Sequence, residues 1–341
     1  MRIRLQDVAA LAEVSEATVS RVMNGKTGVS ATTKAKVVKV LADLGYEPEA
    51  LRTSPRVGSV GLVVPELDNP IFPAFAQAIE SLLLSNGYVS VLCCASRSSA
   101  TEDAYVETLL DRGVAGIIVV SGRHADVGGD HAHYAELVEQ RVPLVFVNGH
   151  VAGLPVPSVS CDESAAARAA HDHLRELGHD RIGFLTGPDC FVPVIRRLAG
   201  FTDAAIKSGA TKHDLRHLVS EAMFTLEGGD AGARRLLDHG VTGIIAGSDI
   251  MALGAIRAVR QRGLSVPDDV SVVGYDDTPL MRFTDPPLTT VRQPVRHIAQ
   301  HAVEILLGQI GGKDFDDSEF LIEGELIARA STAASRLALV R

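Results

Sequence analysis

Short, near-continuous runs of Val, Ile and Leu recur along most of this chain, and they constrain its fold more than any other feature. Residues 60–65 (VGLVVP), 89–94 (VSVLCC), 116–120 (GIIVV) and 143–147 (PLVFV) are strand-length, with helical stretches such as Phe72–Leu84 and Glu102–Leu110 between them. Apolar runs without polar alternation fit strands buried on both faces, hence a parallel sheet with helices on both sides. The rhythm then starts again at 181–187 (RIGFLTG), 217–220 (HLVS), 243–247 (GIIAG) and 270–277 (VSVVGYDD), with helices near 164–177, 193–208, 229–239 and 249–262. Two successive doubly wound units of similar size predict two α/β lobes facing each other across a cleft. In open α/β sheets ligands sit at the carboxyl ends of the strands.

The segment before this pattern is different. Residues 1–57 hold nine Lys and Arg against six Asp and Glu, so a chain of net charge −9 divides into a +3 head and a −12 body. Such asymmetry suggests a nucleic-acid-binding module on an acidic body, although the whole-chain charge argues against a phosphate-rich partner. The head reads as three short helices. Leu5, Val8, Ala9 and Ala12 form an amphipathic stripe. Ser15 is placed to cap a second helix running to about Asn24, with Thr18 three residues on, and Gly25 ends it. Ser30 caps a third helix, Thr32–Leu44, whose Val37, Val40, Leu41 and Leu44 share one face, and Gly45 stops it. Two short helices in tight succession plus a third that completes a small core is a helix-turn-helix.

Other classes are disfavoured. No apolar run approaches the roughly 18–20 residues that span a bilayer, and the start, MRIRLQDVAALAEV, is too polar for a secretory signal, so a cytoplasmic protein is expected. The four cysteines follow neither a C-x-x-C nor a zinc spacing and read as buried thiols. His171 and His173 point to different faces of a helix, and His213 with His217 lacks the Glu of a zincin motif, so no metal is expected. NGKTG (24–28) fails as a P-loop because Ser20 stands where the first glycine belongs. No G-x-G-x-x-G follows a strand, so neither nucleotide nor dinucleotide cofactor is expected.

The head resembles that of the LacI/GalR family of bacterial transcription regulators. The matching residues are Asp7-Val8-Ala9, Val14-Ser15, Thr18-Val19-Ser20-Arg21-Val22 with Asn24, Val29-Ser30, and the exit Leu44-Gly45-Tyr46 with Pro48. The body resembles the same family in 61–65 and 68–70, in Leu177-Gly178-His179, in 197–201, in Asp249 with Met251–Gly254 and in 271–277. The resemblance implies an all-α helix-turn-helix head (1–46), a hinge (47–57) and a two-lobed, periplasmic-binding-protein-like α/β body (58–341) that binds effector and dimerises. Its first lobe is expected at about 58–160 plus 293–317, its second at about 161–289 plus 320–330.

On that resemblance the second helix enters the major groove of a palindromic operator bound by a homodimer, with base readout at Gln6, Glu16, Ala17 and Arg21. Arg21 suits guanine O6/N7, Glu16 a cytosine amino group, and Ala17 a thymine methyl. Phosphate contacts are implied at Ser15, Thr18, Ser20, Asn24 and Thr33. The hinge departs from the family pattern: 48–56 (PEALRTSPR) is shorter by about three residues, and Pro55 falls near the side chain that wedges into the minor groove. Either Leu51 takes the wedge role from a shorter hinge, or DNA kinking is weak. Effector contacts are implied at Phe72, Arg97, Asn148, Arg197, Phe224, Ser248, Asp276 and Gln293. A sugar or sugar-like ligand suits such a set: carboxylate and amide oxygens accept from vicinal hydroxyls, Arg forks donate, and Phe72 and Phe224 offer flat apolar faces. Ser248 replaces a frequent Asn, which removes one amide. The tail carries no sustained heptads, so no tetramerising coiled coil is expected.

The competing reading is a solute-binding or sugar-processing protein without DNA function. A periplasmic binding protein would carry a signal peptide and no helix-turn-helix. An enzyme would need a base and nucleophile pair in the cleft, and no such motif stands out.

Overall fold

The structure is a computed structural model that describes residues 5–23, 29–43, 58–95 and 99–336. It divides at Val57 into two units. In the head, α1 (Leu5–Ala12), α2 (Glu16–Met23) and α3 (Ala31–Asp43) close over a core of Val8, Ala9, Ala12, Val19, Val22, Val37 and Leu41. Leu5, expected on the α1 stripe, is instead 40% exposed, because it opens the helix one turn short of the positions that the other helices cover. The start of α2 is fixed locally: the Thr18 N–H donates to Ser15 Oγ at 3.2 Å, and the two hydroxyls lie 2.9 Å apart. Ser30 and Thr33 repeat this at the start of α3, at 3.1 and 2.8 Å. Each such cap contributes about 1 kcal/mol. The expected helix ends at Gly25 and Gly45 and the hinge at 47–57 lie outside the described residues.

The body begins with β1 (Gly58–Val64), α4 (Ile71–Ser85), β2 (Tyr88–Cys94), α5 (Ser99–Asp111), β3 (Ile117–Val120), α6 (Ala132–Glu139), β4 (Leu144–Val147) and β5 (Ser158–Cys161). It continues through α7 (Glu163–Glu176), β6 (Ile182–Thr186), α8 (Val192–Lys207), α9 (Lys212–Leu218), β7 (Val219–Glu221), α10 (Leu226–Asp238), β8 (Gly243–Ala246), α11 (Asp249–Gln261), β9 (Ser271–Asp276), β10 (Thr289–Arg292), α12 (Val295–Ile310), β11 (Glu319–Ile322) and β12 (Glu325–Ile327). Among the described residues these strands make two six-stranded sheets, in the orders β11-β5-β4-β3-β1-β2 and β12-β10-β9-β8-β6-β7. The first is parallel throughout, and in the second β12 runs antiparallel to β10.

The apolar runs behave as double-sided strands. Leu62, Val64, Ile118 and Val145 face α4 and α12 through Ile79, Leu83, Ile298 and Leu306. Their neighbours Val63, Ile117, Val119 and Phe146 face α5 and α6 through Val106, Leu109, Tyr134 and Leu137. At about 1.5–3 kcal/mol per buried side chain of this size, both faces contribute to holding each sheet, and polar alternation is excluded.

Two assignments need correction. The segment 320–330, expected wholly in the second lobe, is split: β11 pairs in parallel with β5 in the first sheet, and β12 pairs with β10 in the second. Cys161, placed at the start of lobe 2, likewise still pairs with Ile322 in the first sheet. The chain therefore crosses between lobes at 161–163, at 292–295 and at 322–325. Gly324 fits the last crossing because a Cβ there would meet Arg292 O at 3.0 Å and Cys161 Sγ at 3.3 Å. The second correction concerns 217–220: His217 and Leu218 end α9, and the strand is Val219–Glu221. A reciprocal capping box between Thr211 and Asp214 starts that helix, and it overrides the strand propensity of the following residues.

Candidate functional site

Both lobes contribute strand ends to one cavity of about 360 Å³. Phe72, Asn148, Arg197, Phe224, Ser248, Asp276 and Gln293 all line it. Arg97 lies outside the described residues. Asn148 follows β4 and Asp276 ends β9, and both carry positive φ (60° and 120°), as do Ser121 (47°) after β3 and Asp277 (54°). Positive φ in non-glycine residues is uncommon, Asn and Asp being the most tolerant, and it concentrates at functional sites.

Arg197, on the first turns of α8, is the buried centre of the site. It stacks 4.4 Å over the Tyr275 ring and lies 6.0 Å from that of Phe224. Nε donates to Pro193 O at 3.3 Å and Nη1 to Gly247 O at 2.5 Å. Glu163 Oε2 sits 3.0 Å from Nε, off the N–H direction, so their attraction is Coulombic and that oxygen makes no hydrogen bond. Burial opposes the Arg197 charge, but Glu163, Tyr275 and Asp276 around it outweigh that and hold the guanidinium protonated. Burial raises Glu163 above the ordinary carboxylate range, with Arg197 pulling the other way.

Beside this pair lie two buried carboxyls, those of Asp249 and Asp276. Asp249 accepts from the Thr278 N–H (2.8 Å), the Thr278 hydroxyl (3.0 Å) and the Thr290 hydroxyl (2.7 Å), yet burial still pushes it up to about 6. Asp276 accepts from Gln293 Nε2 at 2.7 Å, and burial followed by repulsion from Asp249 raises it further toward its neutral form. Asp249 thus has three donors and Asp276 one, which leaves Asp276 the carboxyl with more capacity for a ligand. Buried polar atoms without a hydrogen bond collect here too: Asn148 Oδ1, Gln293 Oε1, Arg123 Nε and the ion-paired Glu163 Oε2. The Ser248 hydroxyl, by contrast, is engaged at 3.3 Å as the cap of α11 through the Met251 N–H. Phe224 keeps its place because Gly187 is small: a Cβ there would lie 2.2 Å from the ring.

The residues that the sequence did not single out come chiefly from the loop after β3, where Arg123, Asp126 and Asp130 line the cavity together with Glu102 of α5. Their positions after strand 116–120 were a usable signal. The thiols, expected to be buried, differ: Cys161 is buried, while Cys93, Cys94 and Cys190 are half-buried. In the head, Gln6, Ser15, Glu16, Ala17 and Arg21 are exposed, and Thr18, Ser20 and Thr33 are half-buried. Asn24 and Leu51 lie outside the described residues.

This division into a helical head and a two-lobed body agrees with what known proteins show. Residues 4–49 match the profile of bacterial regulatory proteins of the lacI family, and residues 171–332 that of periplasmic binding protein-like domains. The chain is 51% identical over 338 residues to the HTH-type transcriptional regulator reg1 of Streptomyces lividans, covering 98% of each chain. The chain belongs to the LacI family. Its identity to the transcriptional regulator MalR of Streptomyces coelicolor is 50% over 339 residues, again 98% of each chain. A lac repressor dimer bound to operator and the anti-inducer ONPF superposes with a TM-score of 0.81 at 30% identity, over 98% of this chain and 100% of that one. The CelR–cellobiose complex does so at 0.73 and 33%, over 97% and 100%. As a LacI-family member the chain is a DNA-binding transcription regulator. No helix among the described residues is long and apolar enough to cross a membrane.

Proposed function

We propose that this regulator is a homodimeric repressor of palindromic operator DNA whose affinity is set by a sugar or sugar-like effector seated between the lobes. The observation that carries the effector reading is the set of buried polar atoms without hydrogen bonds, Asn148 Oδ1 and Gln293 Oε1 among them, gathered with Arg197 and Asp276 around one cavity. Each unmet group costs about 1–3 kcal/mol, and a polyhydroxyl ligand, which both donates and accepts, offsets that cost on entry. Cellobiose in the CelR complex supports the same ligand class. The groups assigned to the effector are Phe72, Arg97, Asn148, Arg197, Phe224, Ser248, Asp276 and Gln293. Base readout is assigned to Gln6, Glu16, Ala17 and Arg21, with Ser15, Thr18, Ser20, Asn24 and Thr33 on phosphates and Leu51 at the hinge.

The cleft binds without catalysing in this reading. Burial pushes the Cys161 thiol up to about 12, and Glu163 is held in an ion pair with Arg197 at 3.0 Å, so neither is poised as a nucleophile at neutral pH. A ligand that prefers one lobe arrangement couples to DNA by about 1–3 kcal/mol. A thermal-shift series with saccharides tests the effector assignment: saturation at 100 times Kd stabilises by about 2.7 kcal/mol. Absence of any saccharide-dependent shift, in protein that still binds DNA, overturns it.

A further inference from the structure

The segment 190–197 of the second lobe touches the first lobe twice. It leads into α8, and its Arg197 lines the cavity. At one end the Cys190 carbonyl accepts from the Val127 N–H at 2.9 Å, and Phe191 bridges antiparallel to Asp126. The loop that carries Asp126 and Val127 is itself fixed to the first lobe. The Arg123 N–H donates to Glu102 Oε2 at 3.0 Å, and Arg123 Nη1 donates to Asp103 Oδ2 at 3.0 Å. The lobes are therefore closed on each other where the loop after β3 meets the turn after β6.

At the other end Arg196 reaches across to the first lobe. Its Nη1 lies 2.5 Å from Glu319 Oε1 and its Nη2 2.8 Å from Oε2, a fork that fixes direction as well as distance. The two side chains are 29% and 17% exposed, so solvent and salt screen this pair less than a surface pair. Glu319 opens β11, the edge strand of the first sheet, three residues before the last crossing between lobes begins. The Arg196 carbonyl accepts from Ser164 Oγ at 2.9 Å, which seats α8 on the start of α7, beside the first crossing. Successive helix residues project about 100° apart. Arg197 thus enters the cavity, while neither Arg196 nor Glu319 lines it.

Strand order sets the separation of the two contacts. β3, which precedes the Asp126 loop, and β11 are three spacings apart in the first sheet, about 14 Å at about 4.8 Å each. A single contact would leave the lobes free to pivot about it. Two contacts this far apart oppose both opening and twisting, and the effector position Asn148, after β4, lies between them.

We propose that the Arg196–Glu319 fork is an interlobe strut, which holds the closed arrangement from outside the effector site and so sets how far the unliganded regulator already lies toward the liganded state. Its regulatory consequence rests on the cleft being the effector site; its hold on the lobes does not. A ligand that contacts both lobes favours the closed arrangement too. Removing the strut and adding the effector therefore move operator affinity in opposite directions, whichever direction the effector takes.

The test is hydrogen exchange of the full chain without ligand, for wild type, Arg196→Gln, Glu319→Gln and the double variant. Affinity of the same four proteins for an operator selected from a random duplex pool is read by fluorescence anisotropy. The Val127 amide exchanges when its bond to Cys190 opens, so its rate reads separation of the lobes at the contact remote from the strut. Both single variants should exchange Val127 about fivefold or more faster, with the buried β8 amides of Ile244 and Ile245 within about twofold of wild type. The double variant should be no faster than the faster single one, because either change alone removes the pair. Operator affinity should shift about threefold or more in all three variants, opposite to the shift that cellobiose or maltose produces in wild type. Unchanged Val127 exchange, an equal rise at β8, rate increases that multiply in the double variant, wild-type operator affinity, or a shift in the same direction as the saccharide overturns the strut. If no saccharide moves operator affinity while the strut variants do, the effector reading fails and the strut stands.

Discussion

Arg197→Met isolates the electrostatic centre of the cleft. The guanidinium lies 3.0 Å from Glu163 Oε2, with both side chains at least nine-tenths buried, and removing one partner of such a pair costs about 3–5 kcal/mol. The loss has a pH signature. Burial already raises the Glu163 carboxyl in the folded state, and without Arg197 it rises further, as does Asp276. A carboxyl whose folded pKa exceeds its unfolded value favours the fold fully below the unfolded pKa, and that contribution disappears as pH rises through the folded pKa. The variant is therefore damaged least near pH 4 to 5 and most near pH 8. Urea unfolding at both pH values reads this as a difference in midpoint at unchanged slope. Glu163→Gln added to Arg197→Met should restore more than half of the loss at pH 8, because the stranded charge is then gone. A loss below about 1 kcal/mol, a loss independent of pH, or no recovery in the double variant refutes the account of this cluster.

Four further outcomes follow from particular contacts. Gly187→Ala places a Cβ 2.2 Å from the Phe224 ring, so the ring must swing away; saccharide affinity should fall about tenfold, as stacking energies near 1.4 kcal/mol imply, in titration calorimetry. Ser15→Ala removes the cap at α2 and should cost about 1 kcal/mol of stability in thermal unfolding, with weaker DNA binding in gel shifts. Arg21→Ala should lose about 1–3 kcal/mol of operator affinity with relaxed preference at one base pair in a binding-site selection; a uniform loss across sequences makes Arg21 a phosphate contact. Asp249, raised to about 6, contributes stability that is lost as pH rises from the ordinary aspartate range near 4 through about 6; in Asp249→Asn that part of the pH–stability profile should flatten.

Much of this architecture is legible in the sequence because the apolar runs at 60–65, 116–120, 143–147, 243–247 and 270–277 leave a strand no option but burial on both faces. The caps at Ser15 and Ser30 are equally local, since each needs one hydroxyl and the Thr three residues on. What the sequence hides is long-range. Residues 320–327 (FLIEGELI) are two short apolar pieces around Glu323-Gly324-Glu325, and which piece joins which sheet depends on pairing with β5 and β10, far away in the chain. Leu218 has strand-forming neighbours but belongs to a helix begun at Thr211. In the cleft, the effector positions carried over from the family come together wherever they are described, while Arg123, Asp126 and Asp130 went unassigned. Their role depends on Glu102, Asp103 and the 190–191 segment, and no spacing along the chain encodes those neighbours.

The central claim is that one molecule reads DNA with its head and a saccharide with its body, each biasing the other. Fluorescence anisotropy of the full chain on an operator selected from a random duplex pool, titrated with salt and repeated at saturating saccharide, tests it directly. The account predicts an affinity that falls linearly with salt on logarithmic axes and a change of about 5- to 150-fold when the saccharide is present. Salt-independent binding, or a saccharide that fills the cleft and leaves operator affinity unchanged, contradicts it.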